Sequence, residues 1–164
     1  MVKQFEMPVM APVPIKTKGH LTHIQLWRWI SFVRRWKLAE NWYYEYQGHR
    51  YVIPKGFEFD GASIPKPLWF LLSPTGLLLV PGLLHDFGYR YMYLWEVDSS
   101  SPTGFKKANQ SRDRLEWDDL FHSVSIEVNG MSIISGLALL ALKVGGGCAW
   151  RKNRAKNSDD IYPQ

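Results

Sequence analysis

The sequence predicts an α+β chain, with N-terminal antiparallel β-strands packed on a C-terminal core of three to four helices. Three observations carry this. Between Ile24 and Phe59, runs of strand-forming residues alternate with turn residues. From Pro65 onward, apolar residues recur at helical spacing. Finally, 164 residues, 46% hydrophobic and 21% charged, suffice for one core and therefore one domain over residues 1–164.

Residues 1–20 are rich in Met, Pro and Lys and read as an irregular arm. Residues 24–59 form the β-rich part. Trp36-Lys37-Leu38, Trp42-Tyr43-Tyr44-Glu45-Tyr46 and Tyr51-Val52-Ile53 are strand segments, because aromatic and β-branched side chains suit a pleated surface. Gln47-Gly48-His49 is placed to turn a hairpin between the last two. Pro54-Lys55-Gly56 turns the chain into a short strand, Phe57-Glu58-Phe59, and Asp60-Gly61-Ala62-Ser63 follows as a loop.

Residues 65–150 are expected to be the helical core. A short helix is expected from Pro65 to Ser73. A longer one starts at Thr75 or Gly76 and runs to Trp95, with Leu83, Leu84, Phe87 and Tyr91 along one side. Residues 97–107 read as a polar loop. A third helix runs from Asn109 or Ser111 to Val128, burying Leu115, Leu120, Phe121 and Val124 and ending at Asn129-Gly130. A fourth runs from Ser132 to Val144, where three successive glycines should stop it. Residues 151–164 read as a basic, then acidic, polar tail.

No transmembrane span is expected. Residues 67–84 are uncharged, but Pro67, Pro74 and Pro81 interrupt any continuous helix. Residues 131–142 are shorter than the roughly 20 residues that a span needs, and Lys143 ends them. The N-terminus lacks the charged, then apolar, then small pattern of a signal peptide, so none is expected. The single cysteine, Cys148, excludes an internal disulfide framework and a cysteine-built zinc site.

The formal charge of +5 favours anionic partners. Eight tryptophans exceed what one small core needs, so part of them should form an interface, either with a membrane phospholipid surface or with a protein. The basic runs Arg34-Arg35 and 151–156 read as solvated tails or electrostatic guides. No nucleic-acid motif organises them, and no nucleic-acid partner is expected.

The segment that carries chemistry is His85-Asp86-Phe87-Gly88-Tyr89. On a helix, His85 and Tyr89 lie about 6 Å apart along the axis, on one side. Asp86 points about 100° away from His85, so the two side chains serve different tasks. A neutral imidazole can take a proton from water near pH 7, while a carboxylate-held divalent ion can polarise a carbonyl. Such a base needs an orienter, and Asp113, Asp118 and Asp119 on the third helix are available. Asp118 lies three residues before Phe121, so its carboxylate can sit beside the buried stripe. The Asp60-Gly61-Ala62 loop offers a carboxylate and backbone carbonyls, ligands that calcium accepts.

His85-Asp86-Phe87-Gly88-Tyr89-Arg90 resembles the helix motif of bacterial and fungal secreted phospholipases A2. Phe59-Asp60-Gly61-Ala62-Ser63 followed by Pro65 resembles that family's calcium loop, and Asp118-Asp119-Leu120-Phe121 its partner helix. The resemblance implies a phospholipase A2-like helical core and a calcium cofactor. In it His85 is the general base, and Asp118 its orienter. Asp86, Asp60 and the Gly61 carbonyl are the calcium ligands. Tyr89 either holds Asp118 by its hydroxyl or meets a backbone partner. Residues 36–150 also resemble a domain family of unknown function common in phages and prophages. Its marks are Pro54-Lys55-Gly56-Phe57 with Asp60-Gly61-Ala62-Ser63-Ile64-Pro65, then His85-Asp86 with Tyr89. The chain departs from the secreted enzymes in lacking disulfides and a secretion signal.

The leading expectation is thus a phage- or prophage-encoded, calcium-dependent lipid or ester hydrolase of phospholipase A2 type. The alternative is a non-enzymatic phage structural or host-interaction protein that keeps the same core. A third reading, a metal phosphohydrolase using His49, His85, Asp86 and Asp118, ranks last because His49 lies among strands. Taken singly, Asp60 is also a turn-capping residue, and Asp118 and Asp119 a solvated helix face.

Overall fold

A computed structural model describes residues 6–14, 35–59, 78–110, 112–155 and 160–164. The chain is mixed α+β. Its N-terminal half supplies antiparallel strands β1 (Met10–Pro12), β2 (Trp36–Leu38), β3 (Trp42–Tyr46), β4 (His49–Ile53) and β5 (Glu58–Phe59). Then come helix α1 (Leu79–Tyr91), strands β6 (Leu94–Val97) and β7 (Phe105–Ala108), and helices α2 (Arg114–Asn129) and α3 (Ser132–Ala155).

Among the described residues two sheets form, in the orders β1-β2-β5 and β3-β4-β6-β7. The hairpin between β3 and β4 turns through Gln47 and Gly48, with φ of +52° and +80°, the pair of positive values that a type I′ turn demands. Trp42 and Tyr44 alternate inward from β3 while Tyr43 and Glu45 face out. Residues 97–107 are not merely a loop: β6 and β7 form a hairpin that extends the second sheet, with Leu94 opposite Ala108 and Val97 opposite Phe105. The alternation there is short and broken by lysines, which hides it from periodicity. The expected arm also contains a strand, since β1 pairs with β2.

Helix α1 ends earlier than expected, and its expected start at Thr75 or Gly76 lies outside the described residues. It starts at Leu79, and Pro81 falls in its first turn, where the missing N–H has no intrahelical partner to lose. It ends where Met92 adopts a left-handed conformation, its N–H donating to the Gly88 carbonyl. Apart from Arg90, every residue of α1 is buried. Phe57 of the β5 approach packs edge-on to Phe87, and Tyr91 and Tyr93 extend the same aromatic cluster.

Helix α2 opens with a capping box: Asp113 Oδ1 accepts from the Glu116 N–H at 2.9 Å, and Glu116 Oε2 accepts from the Asp113 N–H at 2.6 Å. Leu115, expected inside, is exposed, and Trp117 takes the inner position instead. Gly145-Gly146-Gly147 does not stop α3, which continues to Ala155 because packing against α1 and α2 outweighs weak glycine propensity. The supposed tail is therefore partly helix. Residues 160–164 lie on the second sheet: Tyr93 donates to Asp160 at 3.0 Å, Lys107 pairs with the same carboxylate, and Trp95 Nε1 donates to the Ile161 carbonyl at 2.8 Å. Trp42, Trp95 and Trp117 are buried and Trp36 and Trp150 half-buried, so the described tryptophans belong mainly to the core rather than to an interface. The expected helix at 65–73 lies outside the described residues.

Candidate functional site

The site grows from the way α1 meets α2. Gly88 leaves room for the Trp117 ring, and a Cβ there would overlap it. This contact brings the helices close and sets their register. Moving up α1, contacts descend along α2: His85 meets Phe121 and Asp118, and Tyr89 meets Asp118 and Arg114. The helices are therefore antiparallel at the seam.

Asp118, the residue after Trp117, is completely buried and gathers three donors. Its Oδ1 lies 2.9 Å from His85 Nε2 and also accepts from the Tyr89 hydroxyl. Its Oδ2 accepts from Arg114 Nη1 at 3.1 Å. The same guanidinium nitrogen reaches the Leu142 carbonyl of α3 at 3.4 Å. Helix α3 closes over this group through Gly146, where a Cβ would sit 2.9 Å from Arg114 Nη1 and 3.0 Å from the Tyr89 hydroxyl. Trp150, one turn further on, packs edge-on against the Tyr89 ring at 4.9 Å.

On the other side of the imidazole, His85 Nδ1 stands 3.7 Å from Asp86 Oδ1, an ion-pair distance rather than a hydrogen bond. Burial pulls the His85 pKa down, but the hydrogen bond to Asp118 and the nearby charge of Asp86 outweigh it, so the net shift is upward. Burial and the Asp118 carboxylate both push the Tyr89 hydroxyl up, which keeps it a donor. With Nε2 committed to Asp118, Nδ1 is the nitrogen left to exchange a proton on the Asp86 side.

The structure thus brings together His85, Asp86, Tyr89 and Asp118. Of the three carboxylates considered as partner to His85, Asp113 caps α2, Asp119 is exposed and stands 3.9 Å from Lys143, and Asp118 makes the contact. Asp60 and Gly61 lie outside the described residues; Phe59 before them is buried in the same core as Leu84 and Phe87. Calcium takes 6–8 oxygen ligands. Among the described residues, Asp86 is the carboxylate on the Nδ1 side of His85, and no group of three His, Cys, Asp or Glu side chains is placed to hold a metal ion. His49 pairs with Glu96 at 2.7 Å on the sheet surface instead of joining His85, so the phosphohydrolase constellation does not assemble.

Three participants were not singled out from the sequence. Arg114 lies four residues before Asp118, a spacing that places both on one helix side and could have signalled the pair. Gly88 and Gly146 carry no chemical group; only the helix approaches reveal them.

No curated protein and no solved structure matches the chain. A family model described as a protein of unknown function, DUF1353, matches residues 36–137, a span that holds both sheets' central strands, α1 and α2. The chain, with its seam of His85 and Asp118 inside the matched span, belongs to the DUF1353 family.

Proposed function

We propose that the protein is a lipid or ester hydrolase of phospholipase A2 type, encoded by a phage or prophage and acting in the host cytoplasm or from a virion. The observation that carries this is the 2.9 Å contact between His85 Nε2 and Asp118, with Tyr89 and Arg114 holding the same carboxylate. Asp118 orients the ring so that Nδ1 is the base. Nδ1 takes a proton from water as the oxygen adds to the ester carbonyl, then returns it to the leaving alkoxide as the acyl–oxygen bond breaks. Asp86, Asp60 and the Gly61 carbonyl are the proposed calcium ligands. When bound, calcium would supply charge stabilisation for the carbonyl oxygen.

A second reading is favoured by the burial and charge of the cluster. His85 is only 4% exposed, and its pKa is raised. As an imidazolium it forms, with Arg114, two cations facing the two carboxylates Asp86 and Asp118. Such a balanced group also serves as a polar clamp in a non-enzymatic structural or host-interaction protein.

The test is fatty-acid release from defined phospholipids at millimolar calcium. The hydrolase reading requires release that chelator and His85→Gln both abolish. Absence of release from every phospholipid class, with a folded chain, assigns the cluster to the structural role.

A further inference from the structure

Helix α3 has two contrasting sides. Ser135, Ala138, Gly146 and Asn153 are buried toward the rest of the molecule, and Ser135 Oγ meets Ser125 Oγ of α2 at 2.7 Å. On the opposite side Ile133, Leu137, Leu140 and Val144 recur at spacings of four, three and four, one above another. They are 82, 46, 59 and 83% exposed. Single exposed apolar residues are ordinary, but a continuous row marks an interaction surface.

The charge on the helix indicates what covers it. Ser132–Ala155 contains no Asp or Glu, and its cations are Lys143, Arg151, Lys152 and Arg154. Lys143 stands 3.9 Å from Asp119, while Arg151 and Arg154 are exposed beyond the apolar row. An apolar row ending in a basic cluster complements an anionic lipid surface. A second copy fits less well: continuing the same spacing past Val144 reaches Gly147 and Arg151, so a helix-pair seam ends after four residues. The mean hydropathy of 1.6 and the length of 24 residues also suit a span. However, the inner side of α3 closes the Asp118 cluster through Gly146 and Trp150, contacts that a crossing helix would forfeit.

The geometry points to the outer face of α3 as a docking surface for an anionic bilayer. Ile133, Leu137, Leu140 and Val144 enter the boundary between headgroups and acyl chains, and Arg151 and Arg154 meet the headgroups. This rests on the hydrolase reading in naming an assembled lipid surface as the form in which substrate is met. The binding itself needs neither His85 nor calcium, so the two ideas fail separately.

The experiment is co-sedimentation of the full chain, in chelator, with vesicles of equimolar phosphatidylglycerol and phosphatidylcholine and with pure phosphatidylcholine. The chain should bind the anionic vesicles more tightly, and salt should weaken that binding. Ile133→Asn with Val144→Asn should weaken it about tenfold or more, with an unchanged circular dichroism spectrum. Arg151→Gln with Arg154→Gln should weaken it about tenfold on anionic vesicles. His85→Gln should bind like the unaltered chain. Failure to bind either vesicle, or full binding by the Ile133/Val144 variant, overturns the proposal. So does a dimer in sedimentation velocity that this variant dissolves while lipid binding is absent, which would assign the row to a second copy. Calcium-dependent hydrolysis of a monomeric short-chain phosphatidylcholine without vesicle binding overturns docking alone. Vesicle binding without hydrolysis overturns the hydrolase reading alone.

Discussion

His85, Asp86 and Asp118 are buried between α1 and α2, whereas Ile133, Leu137, Leu140 and Val144 stand exposed on α3. The two regions depart from the usual sorting of side chains in opposite directions. In the seam, burial of charge is sustained because each carboxylate faces a cation or a donor. On α3 nothing within the described residues covers the apolar row. The first region is closed upon itself; the second is open to a partner. The same helix serves both, since Gly146 seals the seam from its inner side while Val144 faces out.

The strongest way to break the contrast is to empty the seam. Asp118→Ala leaves His85, Tyr89 and Arg114 without their shared acceptor, and should cost about 3–5 kcal/mol in urea unfolding. A loss below about 1 kcal/mol would show that the cluster does not act as a unit. Next comes Gly88→Ala. On helix propensity alone it would add about 1 kcal/mol. Overlap with Trp117 should reverse the sign and cost about 1–3 kcal/mol. An alanine variant of wild-type stability would show that the helix approach is not set by this contact.

A pH series sharpens the comparison further. The folded-state pKa of His85 is raised, so its contribution is fully present below the unfolded value, near 6.5, and fades as pH climbs through the higher folded value. In chelator, the stability of the unaltered chain relative to His85→Gln should therefore decline as pH rises above about 6.5. A constant difference from pH 5 to 9 would exclude this linkage. The smallest effect belongs to the open region: Ile133→Asn with Val144→Asn should change unfolding free energy in lipid-free buffer by no more than about 0.5 kcal/mol. A larger loss would mean that these side chains are covered in the free protein.

Local signals made much of the framework legible. The turn at Gln47-Gly48 and the segments around Trp36, Trp42 and Tyr51 show in residue type alone, because a two-residue hairpin loop and a pleated, half-buried strand each restrict composition. The stop of α2 at Gly130 shows similarly. The β6–β7 hairpin does not, since strands of four residues carry too little alternation, nor does the passage of α3 through three glycines, which tertiary contacts hold together. At the site, His85-Asp86 and Tyr89 stand out through one-turn spacing. Arg114 carries the same one-turn signal toward Asp118, but its contact with the Leu142 carbonyl exists only once α3 packs there.

Sequence alone therefore determined which residues lie together along one helix: His85 with Tyr89, Asp118 with Phe121, and Leu83 and Leu84 with Phe87 and Tyr91. Helical spacing is a local property of a chain with 3.6 residues per turn, and it needs no partner. Tertiary structure alone decided that Asp118 reaches His85 at hydrogen-bond distance, and which side of α3 is covered. Those outcomes depend on the Gly88–Trp117 approach and on Gly146 against Arg114, contacts between residues about thirty apart whose fit is a matter of shape, not of pattern.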